Sequence, residues 1–175
     1  MTTATATTTA TELSDLLGTL ALHRGFLRHT ARDLTDEQAR QRPTASELCV
    51  GGLIKHVAET ERSWLRFAIG GAELMEMPDY SSDQDRDWGA DFRMVGDETL
   101  EGLLAAYEET ARETERALQD LDLNTAHRLP EAPWFESGAS WTVRRVLLHL
   151  IAETSQHAGH ADIIRESIDG QKTMG

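Results

Sequence analysis

The sequence predicts an all-α protein, a four-helix bundle, from three observations. Apolar residues recur at helical spacing in four segments of roughly 20 to 30 residues. No convincing alternating pattern of the kind that marks a β-strand separates these segments. A polar connection of about 26 residues, longer than compact domains normally use, joins the second segment to the third. Such a connection can cross the whole bundle, so that helices 2 and 3 run parallel, and its length also suits a lid.

The first predicted helix covers about residues 12–34. Residues 1–11, MTTATATTTAT, lack the basic and apolar regions of a signal peptide, and we expect a disordered tail there. After the helix, the segment LTDEQARQRP predicts a capped turn that Thr35 or Asp36 opens and Pro43 ends.

The other three helices have recognisable start and stop signals. The second predicted helix begins near Val50 and ends at a Gly-Gly pair. The third covers about 97–120, with Asp97 as its expected N-cap. The fourth follows Ser140, its expected N-cap, and stops at the Asp-Gly of 169–170.

Length and composition limit the organisation and the partners. A chain of 175 residues suits one domain, here 12–170, followed by a short tail at 171–175. A net charge of −13 disfavours binding to nucleic acid, which depends on Lys and Arg neutralising phosphates. Cys49 has no partner for an internal disulfide, and no apolar run reaches the length of about 20 residues that a membrane span needs. We therefore expect a cytoplasmic protein with no membrane contact.

A cluster of titratable residues lies in the fourth predicted helix, in HLIAETSQHAGH, residues 149–160. Helical geometry places His149, Glu153, His157 and His160 within roughly 80° of one another, so that they share one face of the helix. His56, in the second predicted helix, shares its face with apolar residues and should also point inward. Because Glu153 and His157 are one turn apart, both can reach one ion, and His56 can supply a third ligand.

Spacing alone leaves two interpretations open, a metal site and a hydrogen-bonded polar seam inside the bundle. His149 is a poor ligand candidate, because three ligands spread over about 12 Å of helix rise cannot easily converge on one ion. His160, one turn beyond His157, is a candidate for three roles: a hydrogen-bonding neighbour of a metal ligand, a proton carrier or a substrate contact. We take it as the candidate catalytic residue.

Four stretches together resemble a known family. They are LTDEQARQRP, VGGLIKHVAETERSW, ADFRMVGDETLEGLLAAYEE and VRRVLLHLIAETSQHAGHADIIRESIDG. Their order and spacing resemble the DinB-like superfamily of metal-binding four-helix bundles, over about residues 12–170. The resemblance implies an up-down-down-up bundle holding a divalent metal, commonly zinc or nickel. It also implies His56 as the ligand from helix 2 and Glu153 with His157 as the pair from helix 4.

The same resemblance implies a function. It extends to mycothiol-dependent maleylpyruvate isomerase, whose helix 4 pair is also Glu and His, and to transferases that use low-molecular-weight thiols. Since the chain ends soon after helix 4, without the further domain of that isomerase, we do not expect maleylpyruvate isomerisation. The expected function is a metal-dependent thiol S-transferase that acts on a small-molecule electrophile, with mycothiol as the candidate cosubstrate and a homodimer as the candidate assembly.

Two other classes remain as alternatives. One is a non-catalytic metal-binding or stress-associated bundle, which a fourth protein ligand such as His160 would favour because structural sites are closed. The other is a non-haem iron oxygenase, since two histidines and one carboxylate also form iron sites.

Overall fold

The computed structural model describes residues 2–75 and 88–173, and within these ranges the protein is mostly helical. The all-α prediction is therefore confirmed. In chain order the elements are α1 (Thr2–Thr30), α2 (Asp36–Arg40), α3 (Val50–Gly70), a 3-10 helix (Gly71–Glu73), a second 3-10 helix (Trp88–Phe92), α4 (Leu100–Leu118), β1 (Ala126–Arg128), β2 (Ser140–Thr142) and α5 (Val143–Asp169). Residues 76–87 of the predicted crossover and lid lie outside the described residues. None of the described helices combines the length and the apolar character that a membrane span requires.

Helix α1 starts and ends earlier than the sequence predicts. The structure places residues 2–11 in the helix where we expected a disordered tail, because this Ala- and Thr-containing segment has no Gly or Pro to interrupt it. At the other end, Asp33 takes a left-handed φ of 58°. The buried guanidinium of Arg165 on α5 donates to the carbonyl oxygens of Thr30 at 2.7 Å and Arg32 at 2.6 Å. These bonds satisfy carbonyls at the helix end, where the helical pattern provides no partners.

The predicted capped turn is confirmed as α2. Thr35 Oγ1 accepts from the backbone N–H of Gln38 at 3.2 Å, and the Gln38 side chain accepts from the Thr35 N–H at 3.0 Å. This is a capping box. Asp36 Oδ1 also accepts from the N–H of Leu100 at 2.7 Å, and Arg40 donates to the carbonyl of Met94 at 2.8 Å. α2 therefore anchors the segment that leads into α4.

Two helices begin at a different cap from the predicted one. The N-cap of α4 is Thr99, not Asp97, because the Thr99 hydroxyl accepts from a backbone N–H in the first turn at 3.1 Å. The N-cap of α5 is Thr142, whose hydroxyl likewise accepts at 3.1 Å. Ser140, the expected cap, instead lies in β2.

A two-stranded antiparallel ribbon connects α4 to α5, and the sequence analysis missed it. It pairs Ala126 with Thr142, His127 with Trp141, and Arg128 with Ser140. Strands of three residues are too short to show the alternation by which a strand is recognised. The ribbon directs the chain into α5, which ends at Gly170 as predicted, with φ at 78°.

The long helices pack α1 along α5, and α3 against both α4 and α5. Arg144 at the start of α5 pairs with Glu12 in the first half of α1, with Nε and Oε1 2.5 Å apart. Lys55 early in α3 pairs with Glu98, which precedes α4, at 2.8 Å. The first contact holds α1 beside α5, and the second brings the beginning of α3 next to the beginning of α4.

A buried ion pair crosses the interior between α1, α3 and α4. Arg24 donates to both carboxylate oxygens of Glu61, at 3.0 and 2.5 Å, and both side chains are buried. The hydroxyl of Thr114 donates to Glu61 Oε1 at 2.6 Å. Each carboxylate oxygen therefore has a partner, which offsets the cost of burying the charge.

Candidate metal centre

His56 lies on α3, against the 3-10 helix that ends at Phe92. The two rings stack, with centroids 4.1 Å apart and planes at 27°. This close approach depends on Gly52, because a Cβ atom at that position would lie 1.8 Å from the carbonyl oxygen of Phe92. A local glycine in α3 thus allows a later segment of the chain to cover the histidine.

Glu153 and His157 reach the same place from α5. His157 Nε2 and Glu153 Oε2 are 3.4 Å apart, and His157 is buried. The His157 ring lies edge-on to His56, with centroids 4.9 Å apart. One ligand atom from each of the three residues lies within 4.8 Å of the others. The structure thus brings together the three residues that the sequence selects.

The protonation states of the cluster suit a cation. Burial, followed by the charge of His157, lowers the pKa of His56 to about 4, so that this imidazole is neutral near pH 7. A hydrogen bond from His157 lowers the pKa of Glu153, against the opposing effect of burial. A neutral imidazole and an ionised carboxylate are the forms in which these side chains bind metal.

The donor set fits a divalent metal. Two imidazoles and one carboxylate form a known set of ligands for zinc and also for iron. Ligand atoms that share a tetrahedral zinc ion at about 2.0–2.2 Å lie about 3.4 Å apart. The spread of 4.8 Å in the structure is somewhat wider, a difference that side-chain rotation can close. The three residues therefore fit a metal, and among residues 2–75 and 88–173 the cluster has no fourth member.

His160 is adjacent to this set. Its Nδ1 lies 3.4 Å from Nδ1 of His157, and it is half-buried. Since Nε2 of His157 faces Glu153, both ring nitrogens of His157 have a polar neighbour. A histidine held in this way keeps a fixed ring orientation, as metal-binding histidines usually do.

His149 is not part of the candidate ligand set. Its Nε2 lies 4.0 Å from Glu153 Oε1, and its ring lies edge-on to Trp64 and Trp141, with centroids 4.9 and 5.2 Å away. Burial lowers its pKa. The helix rise separates it from His157, as the sequence analysis expected.

The sequence analysis placed Trp64 on the same face as His56 but missed two other aromatic side chains around the cluster, Phe92 and Trp141. Phe92 covers His56, and Trp64 and Trp141 stack with centroids 4.8 Å apart beside His149. The Gly51-Gly52 pair at the start of α3 was a usable signal, because two glycines in a helix indicate close approach of another segment. Nothing in the sequence identifies that segment.

Comparisons with known proteins agree with the fold. A conserved protein from Enterococcus faecalis, known from its crystal structure, superposes with a TM-score of 0.65 at 17% identity, covering 90% of this chain and 97% of its own. At that identity the likeness shows the fold alone. No curated protein matches the chain.

A family model gives the stronger result. The model described as mycothiol-S-transferase matches residues 15–170, nearly the whole chain. The match covers α3, α4 and α5 and includes all three residues of the candidate centre. It confirms the resemblance to the DinB-like proteins. The chain belongs to the mycothiol-S-transferase family.

Proposed function

We propose that the protein is a metal-dependent thiol S-transferase that joins mycothiol, or a similar low-molecular-weight thiol, to a small-molecule electrophile. The observation that carries the proposal is the convergence of His56, Glu153 and His157 within 4.8 Å in a chain of this family. Zinc or nickel is the proposed metal, with iron as the alternative because the same donor set binds it.

The number of ligands supports catalysis over a structural role. Three residues converge among those that the structure describes, and a structural zinc site normally has four protein ligands. His160 is not the fourth, because its Nδ1 faces His157 Nδ1, a nitrogen on the side of the ring away from Glu153. A bound divalent ion with an open position favours the thiolate form of a thiol.

The chain's own residues hold and enclose this centre. Phe92 stacks on His56 and covers it, which fixes the ring and excludes water from one side. Glu153 contributes the negative charge that offsets a divalent cation, and His157 is held from both ring nitrogens. The centre is thus preorganised before a thiol binds.

In the proposed reaction, a bond forms between the thiol sulfur and the electrophilic carbon. The bond from that carbon to its leaving group breaks, and the leaving group departs with the electron pair. We propose that His160 is the catalytic residue that accepts the thiol proton. Its support is its location beside His157, half-buried and within 3.4 Å of that ring.

Further proposals concern the assembly of the protein. We propose an up-down-down-up bundle. Arg144 at the start of α5 pairs with Glu12, and Arg165 late in α5 bonds Thr30 at the end of α1, so these two helices run in the same direction. Lys55 early in α3 pairs with Glu98 just before α4, as expected for parallel α3 and α4. His56 meets His157, and Trp64 further along α3 meets His149, so α3 and α5 run in opposite directions. We also propose a cytoplasmic location and a homodimer.

The test is thiol transfer by untagged protein. Purified protein is loaded with zinc, nickel or iron(II), and the consumption of mycothiol is measured with a fluorogenic alkyl halide. We expect His157→Ala and chelation to reduce the rate to the uncatalysed level. The control His29→Ala changes an exposed histidine on α1 and should leave the rate unchanged. A rate that survives both chelation and His157→Ala contradicts the proposed function.

A further inference from the structure

A cavity of about 320 Å³ lies at the start of α5, beside the candidate metal centre. Its lining consists of Trp141, Thr142, Arg144, Arg145, Leu148 and His149. The volume is at the lower end of the range found for small-molecule sites, roughly 300–1,000 Å³. The three residues of the candidate metal centre do not line it.

The cavity contains a cation without an acidic partner. Arg145 is exposed, and its guanidinium carbon lies 4.8 Å from the centroid of the Trp141 ring. Within residues 2–75 and 88–173, no carboxylate forms an ion pair with Arg145, whereas the neighbouring Arg144 is held by Glu12. In a chain with a net charge of −13, this arginine is available to an anion.

The walls of the cavity combine aromatic and apolar side chains with polar ones. Trp141 stacks on Trp64, with planes at 12°, and His149 lies edge-on to both rings. Leu148 is 52% exposed, although it is a large apolar residue on a charged surface. The Trp141 ring is thus covered by Trp64 and by the Arg145 guanidinium, and the exposed Leu148 supplies the apolar surface beside that guanidinium.

His149 joins the cavity to the candidate metal centre. It lines the cavity, and its Nε2 lies 4.0 Å from Glu153 Oε1. A molecule in the cavity is therefore separated from the ligand set by a single side chain. His149 is not one of the three candidate ligands, and its location between the cavity and Glu153 gives it a different role.

We propose that this cavity binds a small carboxylic acid, with the carboxylate on Arg145 and the apolar body against Leu148. The acid is the proposed electrophile of the transfer reaction, and this assignment rests on the proposed function. The binding of the acid does not require a metal.

The experiment compares benzoate with benzamide, a neutral molecule of the same shape, by isothermal titration calorimetry. Benzoate should bind in the millimolar range or better, and benzamide about fivefold more weakly, since an exposed charge pair contributes up to about 1 kcal/mol. Arg145→Gln should remove this preference for the acid. Leu148→Glu should abolish benzoate binding by adding a negative charge at the lining.

The control is Arg116→Gln, which removes an exposed arginine on α4 that does not line the cavity. Equal affinity for benzoate and benzamide overturns the proposal, as does an equal effect of Arg145→Gln and Arg116→Gln, or no binding of benzoate. His157→Ala and chelator-treated protein should bind benzoate as the metal-loaded protein does. Failure of the metal proposal and failure of this one are therefore distinguishable.

Discussion

Gly52→Ala tests whether the approach of Phe92 to α3 organises the candidate metal centre. The added Cβ would meet three backbone atoms of the neighbouring segment, the carbonyl oxygen and carbon of Phe92 at 1.8 and 2.2 Å and the nitrogen of Arg93 at 2.6 Å. Because these are backbone atoms, no side-chain rotation relieves the contact. The segment must move, and the Phe92 ring that stacks on His56 must move with it.

The magnitude follows from two opposing effects. Replacing glycine by alanine inside a helix stabilises it by up to about 1 kcal/mol. Overpacking costs about 1–3 kcal/mol, and a contact this short with the backbone belongs at the upper end. We therefore expect the free energy of unfolding to fall by about 2 kcal/mol.

Gly18→Ala is the matched control, because Gly18 is an exposed helical glycine with no atom within 4 Å of its added Cβ. This variant should gain up to about 1 kcal/mol, so that the two variants differ by about 3 kcal/mol. Urea denaturation measures the difference, and calorimetric titration of the metal-free protein with zinc measures the site. If Gly52→Ala is as stable as Gly18→Ala and binds zinc equally well, the described contact does not organise the centre.

Two further predictions concern the buried charges. Glu61→Gln removes the buried countercharge of Arg24 and one of the two acceptor oxygens, which leaves the half-exposed Glu115 as its carboxylate partner among the described residues, and urea denaturation should show a loss of about 3 kcal/mol. Glu109→Gln, at an exposed ion pair, should change the stability little, and an equal loss in both variants would contradict the buried-pair argument. In the metal-free protein, the lowered pKa of His56 means that the unfolded chain takes up the proton first as the pH falls. The stabilisation by neutral His56 is complete above about pH 6.5 and is lost towards about pH 4. His56→Gln should flatten the dependence of unfolding free energy on pH in that window, and an unchanged slope would refute the assignment.

The sequence predicted those parts of the fold that depend on local signals. The capping box of Thr35 and Gln38, the start of α3 near Val50 and the glycine at the end of α5 all lie where the sequence places them. Each is set by residues within one or two turns of the chain.

Features that depend on contacts between distant segments were not predicted. The ribbon pairs strands of three residues, which show no pattern of their own. The early end of α1 depends on Arg165, which comes from the other end of the chain.

The candidate site also combines residues that local sequence patterns predict with residues that depend on contacts between distant segments. Glu153 and His157 are one helical turn apart, and His56 lies on the inward face of α3, so helical periodicity was enough to select all three. Phe92 reaches His56 from a segment whose path periodicity does not determine. The cavity beside Arg145 likewise depends on the packing of Trp141 from the ribbon, which the sequence analysis missed.

The most direct test of the account is the metal content of untagged protein, measured by elemental analysis after gel filtration. The account predicts about one zinc, nickel or iron ion per chain in the wild-type protein. His157→Ala and Glu153→Gln should each lose most of that metal, whereas His29→Ala should retain it. A wild-type protein that cannot retain a divalent metal, or a His157→Ala variant with the full metal content, would contradict the central claim.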